Sequence, residues 1–154
     1  RIIAEAYGRS ARAQYTLLPP HNPYSLGDVR HPGYDPDAAR RLLAEMGFAD
    51  PDEDGVLKDP QGNRLSIAIT AAEEIEHHRR TAEILAEELS RVGMDAKVEF
   101  VPRPVVIRGL TAAFDFQLTI VGFGHGASPV AWDQIIPSAG FLHLSYPSQP
   151  SPTY

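Results

Sequence analysis

The chain has 154 residues, 43% hydrophobic and 22% charged, with a formal net charge of −6 and no cysteine. Those totals suit one globular domain burying roughly 70% of its unfolded surface. They exclude a basic nucleic-acid surface, a disulfide framework, a thiol nucleophile and a cysteine zinc site, and no apolar run approaches the roughly 20 residues of a membrane span.

The text opens on Arg1-Ile2-Ile3 with neither methionine nor signal peptide, and reads as a piece of a longer protein. Residues 1–12 suggest a short helix or the end of one, with Ile2, Ile3, Ala6 and Tyr7 apolar. Residues 13–32 carry Pro19, Pro20 and Pro23. Proline fixes φ and removes a donor, so this stretch is expected to be an extended surface connector. The chain thus divides into a connector (1–33), an α/β core (34–140) and a loose tail (141–154) rich in Ser, Pro and Tyr.

Asp35 suits an N-cap, Pro36 the first helical position and Gly47 the closing left-handed residue. Between them Ala39, Leu42, Leu43 and Met46 form one apolar face. Asp50, Asp52 and Asp54 followed by Gly55 then imitate the first half of a calcium loop. Its twelfth position is Gln61, where a bidentate Glu belongs, and a strand follows instead of a helix. A turn whose Asp side chains bond nearby N–H groups is the plainer reading, with a calcium site as the alternative.

Leu65, Ile67 and Ile69 alternate with Ser66, Ala68 and Thr70 as a half-buried strand. Glu73 or Glu74 is expected to open a helix reaching Val92, on Ile75, Ala82, Leu85, Leu89 and Val92, with Gly93 ending it. His77 and His78 are assigned to its solvated face, because adjacent helical residues point about 100° apart and cannot chelate one ion. Ala96, Val98 and Phe100 mark a second strand, residues 105–113 a short helix after Pro104, and Phe114, Phe116, Leu118 and Ile120 a third strand. This alternation predicts an α/β fold of βαβ units with a largely parallel sheet. Buried parallel strands are usually apolar on both faces, whereas these alternate. Either one face is thinly covered or part of the lobe lies outside this chain; the second account is adopted.

The order Tyr34-Asp35-Pro36-x-x-Ala39-Arg40-x-Leu42-Leu43-Ala44-Glu45-x-Gly47-Phe48 comes before an Asp54-Gly55 turn and Asp59-x-x-Gly62-x-x-Leu65. It resembles family 5 of the extracytoplasmic solute-binding proteins, the peptide/nickel-type receptors of bacterial ABC importers. The helix text of residues 80–93 and Phe114-Asp115-Phe116-Gln117-Leu118 are similar to the same family, with Phe123 where its loop more often has Trp. The match spans residues 19–140. It implies a type II periplasmic-binding-protein-like lobe, most of the C-terminal lobe of a two-lobed clamp. The implied partners are a solute, the ABC permease subunits and the N-terminal lobe of the same chain. The implied location is extracytoplasmic, in the periplasm or as a lipoprotein, with no cofactor and no catalysis.

Ligands of open α/β sheets bind at the carboxyl ends of strands. The candidate ligand residues are therefore Thr70, Ala71 and Glu73 after the first strand, and Phe123, Gly124, His125, Gly126 and Trp132 after the third. Peptide-binding members carry an Asp for the peptide amine where Gly126 stands, and often an Arg where Ala71, Ala72 and Glu73 stand. A buried unpaired terminus is costly, so the resemblance implies a sugar, a modified peptide, a siderophore-like molecule or a cation rather than an ordinary oligopeptide. The alternative is a small hydrolase or metal-dependent enzyme using His125, Asp133 and Glu73. Ser128 and Ser138 lack a nucleophile-elbow context, and neither a Walker loop nor a Rossmann fingerprint occurs. Apolar residues left exposed at a lobe interface would favour a homodimer of the lobe.

Overall fold

The computed structural model describes residues 1–16, 18, 22–25 and 31–124. Helix α1 (Ile2–Glu5) leads through the connector to α2 (Pro36–Glu45). A small hairpin follows, β1 (Asp50–Pro51) with β2 (Leu57–Lys58). Then come β3 (Ser66–Ala72), α3 (Glu76–Ser90), β4 (Asp95–Val101), α4 (Arg103–Arg108) and β5 (Leu118–Ile120). The expected tail, residues 141–154, lies outside the described residues.

Helix α2 is bounded as its sequence dictates. The Asp35 carboxylate accepts the Ala38 N–H at 2.8 Å, and Pro36 occupies the first turn. At the other end Gly47 takes φ +95°, so its N–H reaches the Ala44 carbonyl while that of Phe48 reaches Leu43. These two bonds form a Schellman closure. The expected apolar face, however, is only partly used: Leu42 is 59% and Met46 71% exposed, and α2 buries no residue among the described contacts.

The acidic turn is built twice over. Asp52 Oδ1 accepts the N–H groups of Asp54 and Val56, both at 3.0 Å. Asp59 Oδ1 likewise accepts those of Gln61 and Asn63, at 2.9 and 2.8 Å. In each case the glycine three residues on, Gly55 or Gly62, donates to the Asp carbonyl. Asp carboxylates that satisfy the turn backbone make an Asp-x-x-Gly segment a compact corner.

The main sheet has the order β4-β3-β5 and is parallel throughout. Register places Ile69 beside Val98 and Leu118, and Ala71 beside Phe100 and Ile120. This face packs on α3: Ile69, Ala71 and Ala82 are fully buried, joined by Leu85, Leu89, Val98 and Leu118. The opposite face sets Ala68 beside Lys97, and Thr70 beside Glu99 and Thr119. Among the described residues it gains apolar cover only at the carboxyl end, where Val106 and Leu110 pack on Ala72. Among the described residues that face is thinly covered, which suits the alternation of the strands.

Three expected boundaries move. Helix α3 starts at Glu76 because the sheet holds the chain longer: the Glu73 N–H still bonds the Val101 carbonyl at 3.0 Å. Helix α4 starts at Arg103 and widens into a π-helical turn at Gly109–Ala113. Phe114, expected in a strand, instead takes φ +51° and closes that turn through its N–H to the Gly109 carbonyl at 2.7 Å. The third strand is thereby cut to Leu118–Ile120, and the Gln117 side chain accepts the Ala68 N–H at 2.6 Å just before it.

Behind α3, ion pairs attach the N-terminal segment. Arg1 contacts Glu5, Glu87 and Glu88, Arg80 contacts Glu5 and Glu83, and the Tyr34 hydroxyl donates to Glu88. The two guanidiniums, Arg1 foremost, hold the exposed Glu5 carboxyl down at about 2.

Candidate functional site

From β3 the chain crosses to β4 through α3 on one face, then from β4 to β5 through α4 at the other face. The first crossover runs from the central strand out to one edge and the second returns past it to the other edge, with α3 and α4 flanking the carboxyl ends of β3 and β5. A cleft of about 260 Å³ lies there. Ala72 and Ile75 form one wall, Val106 and Ile107 of α4 another, and Ile120 to Gly122 a third; His77, His78 and Arg103 supply its polar atoms.

His78 sits on the inward stripe of α3 and is only 7% exposed, which corrects its assignment to the solvated face. Its Nδ1 is buried without a hydrogen-bond partner. Burial, then the neighbouring His77 and Arg103, push the imidazole below the ordinary histidine range, so the neutral ring is favoured. His77 stays exposed, its ring 5.0 Å from Tyr7 and edge-on to His78 at 4.7 Å. Opposite, bare backbone faces the imidazole: a Cβ on Gly122 would lie 3.6 Å from His78 Nε2.

Arg103 is placed by a neighbouring turn. No side chain of its own N-cap, Pro102, satisfies the start of α4; both oxygens of Glu74 accept the Arg103 N–H instead, at 3.0 and 3.2 Å. This leaves the Arg103 side chain to line the cleft, whose lining includes no carboxylate.

The residues expected from sequence are spread around this cleft. Thr70 is half-buried, its carbonyl accepting the Thr119 hydroxyl at 3.2 Å. The Ala71 side chain is fully buried in the core on the α3 face. Glu73 is exposed at the strand end, and Phe123 (40% exposed) and Gly124 follow the cleft wall. His125, Gly126, Trp132 and Asp133 lie outside the described residues. At the acidic turn Asp52 and Asp54 share Arg64, at 3.0 and 3.3 Å, while Asp50 stands opposite Lys58 in the backbone register of the hairpin. Burial opposes charge on Asp52, but the Val56 and Asp54 N–H groups and Arg64 outweigh it and hold the carboxyl below its usual range. Among the described residues no group of three His, Asp or Glu gathers to hold a metal.

Sequence reasoning missed His78 and Arg103. A signal for the first existed, since Ile75, His78, Ala82, Leu85 and Leu89 follow the 3-4-3-4 spacing of a single helical stripe. The second had none, because its role depends on Glu74 in another loop.

The chain matches the family described as bacterial extracellular solute-binding proteins, family 5 middle, over residues 1–138. A probable ABC transporter-binding protein of Deinococcus radiodurans is 32% identical, over 70% of this chain and 19% of its own length. The oligopeptide-binding protein AppA of Bacillus subtilis is 24% identical, over 69% of this chain and 20% of its own. The chain thus spans about a fifth of these curated relatives. The structure of AppA with a nonapeptide superposes with a TM-score of 0.80 at 21% identity, covering 94% of this chain and 29% of that one. NikA of Brucella suis, in complex with Fe(III)-EDTA, gives 0.73 at 24% identity, covering 86% and 26%. These superpositions show the fold: an α/β lobe of the type II periplasmic-binding-protein kind. The hydrolase alternative on His125, Asp133 and Glu73 gains no support, since the curated relatives are named for binding. No described helix is long and apolar enough to cross a membrane.

Proposed function

The chain belongs to the bacterial extracellular solute-binding proteins of family 5, and on that footing we propose that it forms one lobe of the substrate-binding component of an ABC importer. The observation that carries this reading is the family match across residues 1–138, together with a cleft at the carboxyl ends of the sheet's strands, where ligands of open α/β sheets bind. The solute would sit at the carboxyl ends of β3 and β5, with Thr70, Glu73, Phe123, Gly124, His125, Gly126 and Trp132 around it. Bridged by solute, this lobe and an opposing one are held closed, and the closed form docks on the permease subunits outside the cytoplasm. A solute drives that closure only by its differential affinity for the closed state.

The protein works by capture and release, not turnover. Peptide-like molecules, sugars and metal complexes are the solute classes in view; relatives of the same fold are described with a nonapeptide and with Fe(III)-EDTA. A thermal-shift screen of the intact protein against peptides, oligosaccharides, siderophores, nickel and calcium tests the reading. A ligand present at 100 times its Kd stabilises by about 2.7 kcal/mol, and one clear hit recovered chemically unchanged is the expected result. No stabilisation by any class, with a panel member slowly consumed, would overturn it.

A further inference from the structure

We propose that the cleft between α3 and α4 takes an anionic group carried on an apolar body, with Arg103 and His78 facing the anion and Ile75, Val106 and Ile120 the apolar part. The inference rests on the solute-binding reading and narrows its ligand class.

Three observations converge on it. The cleft walls are aliphatic, and the one formally charged side chain among its described lining residues is Arg103. No acidic side chain lines it, and among the described residues Arg103 forms no ion pair, because the nearby Glu74 carboxylate is occupied by the Arg103 backbone N–H. A guanidinium on an aliphatic wall with no counter-ion is matched by a planar oxyanion, which it binds through two parallel N–H bonds. Beside it His78, nine-tenths buried, lines the same cleft with its Nε2 turned to the bare backbone of Gly122.

The charged and titratable groups around His78 are His77 on its own helix and Arg103 from α4; the strand-derived walls, Ala72 and Ile120 to Gly122, are uncharged. All of the nearby charge disfavours a second cation. An arriving anion reverses that balance, so occupancy raises the affinity of His78 for a proton, and binding is accompanied by proton uptake.

Hexanoate, hexyl phosphate, hexanol and hexylamine, titrated into isotopically labelled intact protein, separate the terms. Hexanoate is expected to bind about tenfold more tightly than hexanol, the size of one charge-assisted contact, and to shift the Gly122 and His78 resonances. Hexyl phosphate in place of hexanoate would identify phosphate as the anion. Arg103→Gln is expected to erase the preference for hexanoate over hexanol, its backbone N–H still capped by Glu74. His78→Gln is expected to abolish proton uptake, measured by calorimetry in buffers of different ionisation enthalpy. Equal binding of hexanol and hexanoate, or an anion preference that survives Arg103→Gln, would overturn the proposal. If the protein captures an uncharged sugar or peptide but ignores the anions, the inference falls and the receptor reading stands. If nothing at all stabilises it, the receptor reading falls first.

Discussion

Glu74, on the turn after β3, places both carboxylate oxygens within 3.2 Å of the Arg103 N–H at the start of α4. One side chain thereby fastens the mouth of the cleft and gives α4 the cap that Pro102 cannot supply. Replacing Glu74 by Ala is expected to cost about 1 kcal/mol, the usual value of a lost N-cap, and Glu74→Gln less because an acceptor remains. Urea denaturation of the two variants checks the order.

Gly93 is the most tightly enclosed of the described glycines. It has φ +89°, and a Cβ there would lie 2.6 Å from Leu57 Cγ. Left-handed strain and overpacking together predict about 2–4 kcal/mol of destabilisation for Gly93→Ala. Adding Leu57→Ala removes the clash but not the strain, so the double variant should lose less than the sum of the singles, a coupling that a double-mutant cycle measures directly.

The two helices answer mutation differently. Ile84, 1% exposed, lies on the buried side of α3, and Ile84→Ala is expected to cost about 2–4 kcal/mol. Leu42→Ser and Met46→Ser alter exposed positions on α2 and should each stay within about 0.5 kcal/mol. Comparable losses at all three sites would show that α2 is covered in solution.

Acid should weaken the fold in two separate steps. The folded pKa of His78 lies below its ordinary 6.5. The unfolded chain therefore binds the extra proton first, so this contribution is full above 6.5 and declines as pH falls toward the folded value. His78→Gln should flatten urea midpoints between pH 7.5 and 5.

Glu5 titrates lower, from 4.5 unfolded to about 2 folded. The stability it contributes is present above 4.5 and is lost as pH drops toward 2. Detachment of α1 in that window, followed through the Tyr7 ring resonances, should be shifted to higher pH by salt, because these pairs are exposed.

What the sequence determined by itself was local. Asp35, Pro36 and Gly47 set the bounds of α2 because caps and closing glycines act within a few residues of themselves. Asp52 and Asp59 shaped their own corners for the same reason, and alternation along residues 65–70 and 95–100 announced β3 and β4. The Tyr34-to-Phe48 pattern identified the family. Tertiary structure decided what depends on distant neighbours. Phe114 left its strand because the π-helical turn needed a left-handed residue to close it, and α3 began late because Val101 still held Glu73 in the sheet. The apolar face of α2 was legible, but whether anything lay against Leu42 and Met46 was not. His78 and Arg103, far apart in sequence, meet only because the crossovers through α3 and α4 bring both helices to the carboxyl end of β3. Periodicity reports which face of an element is apolar; only the packing of several elements decides what that face meets.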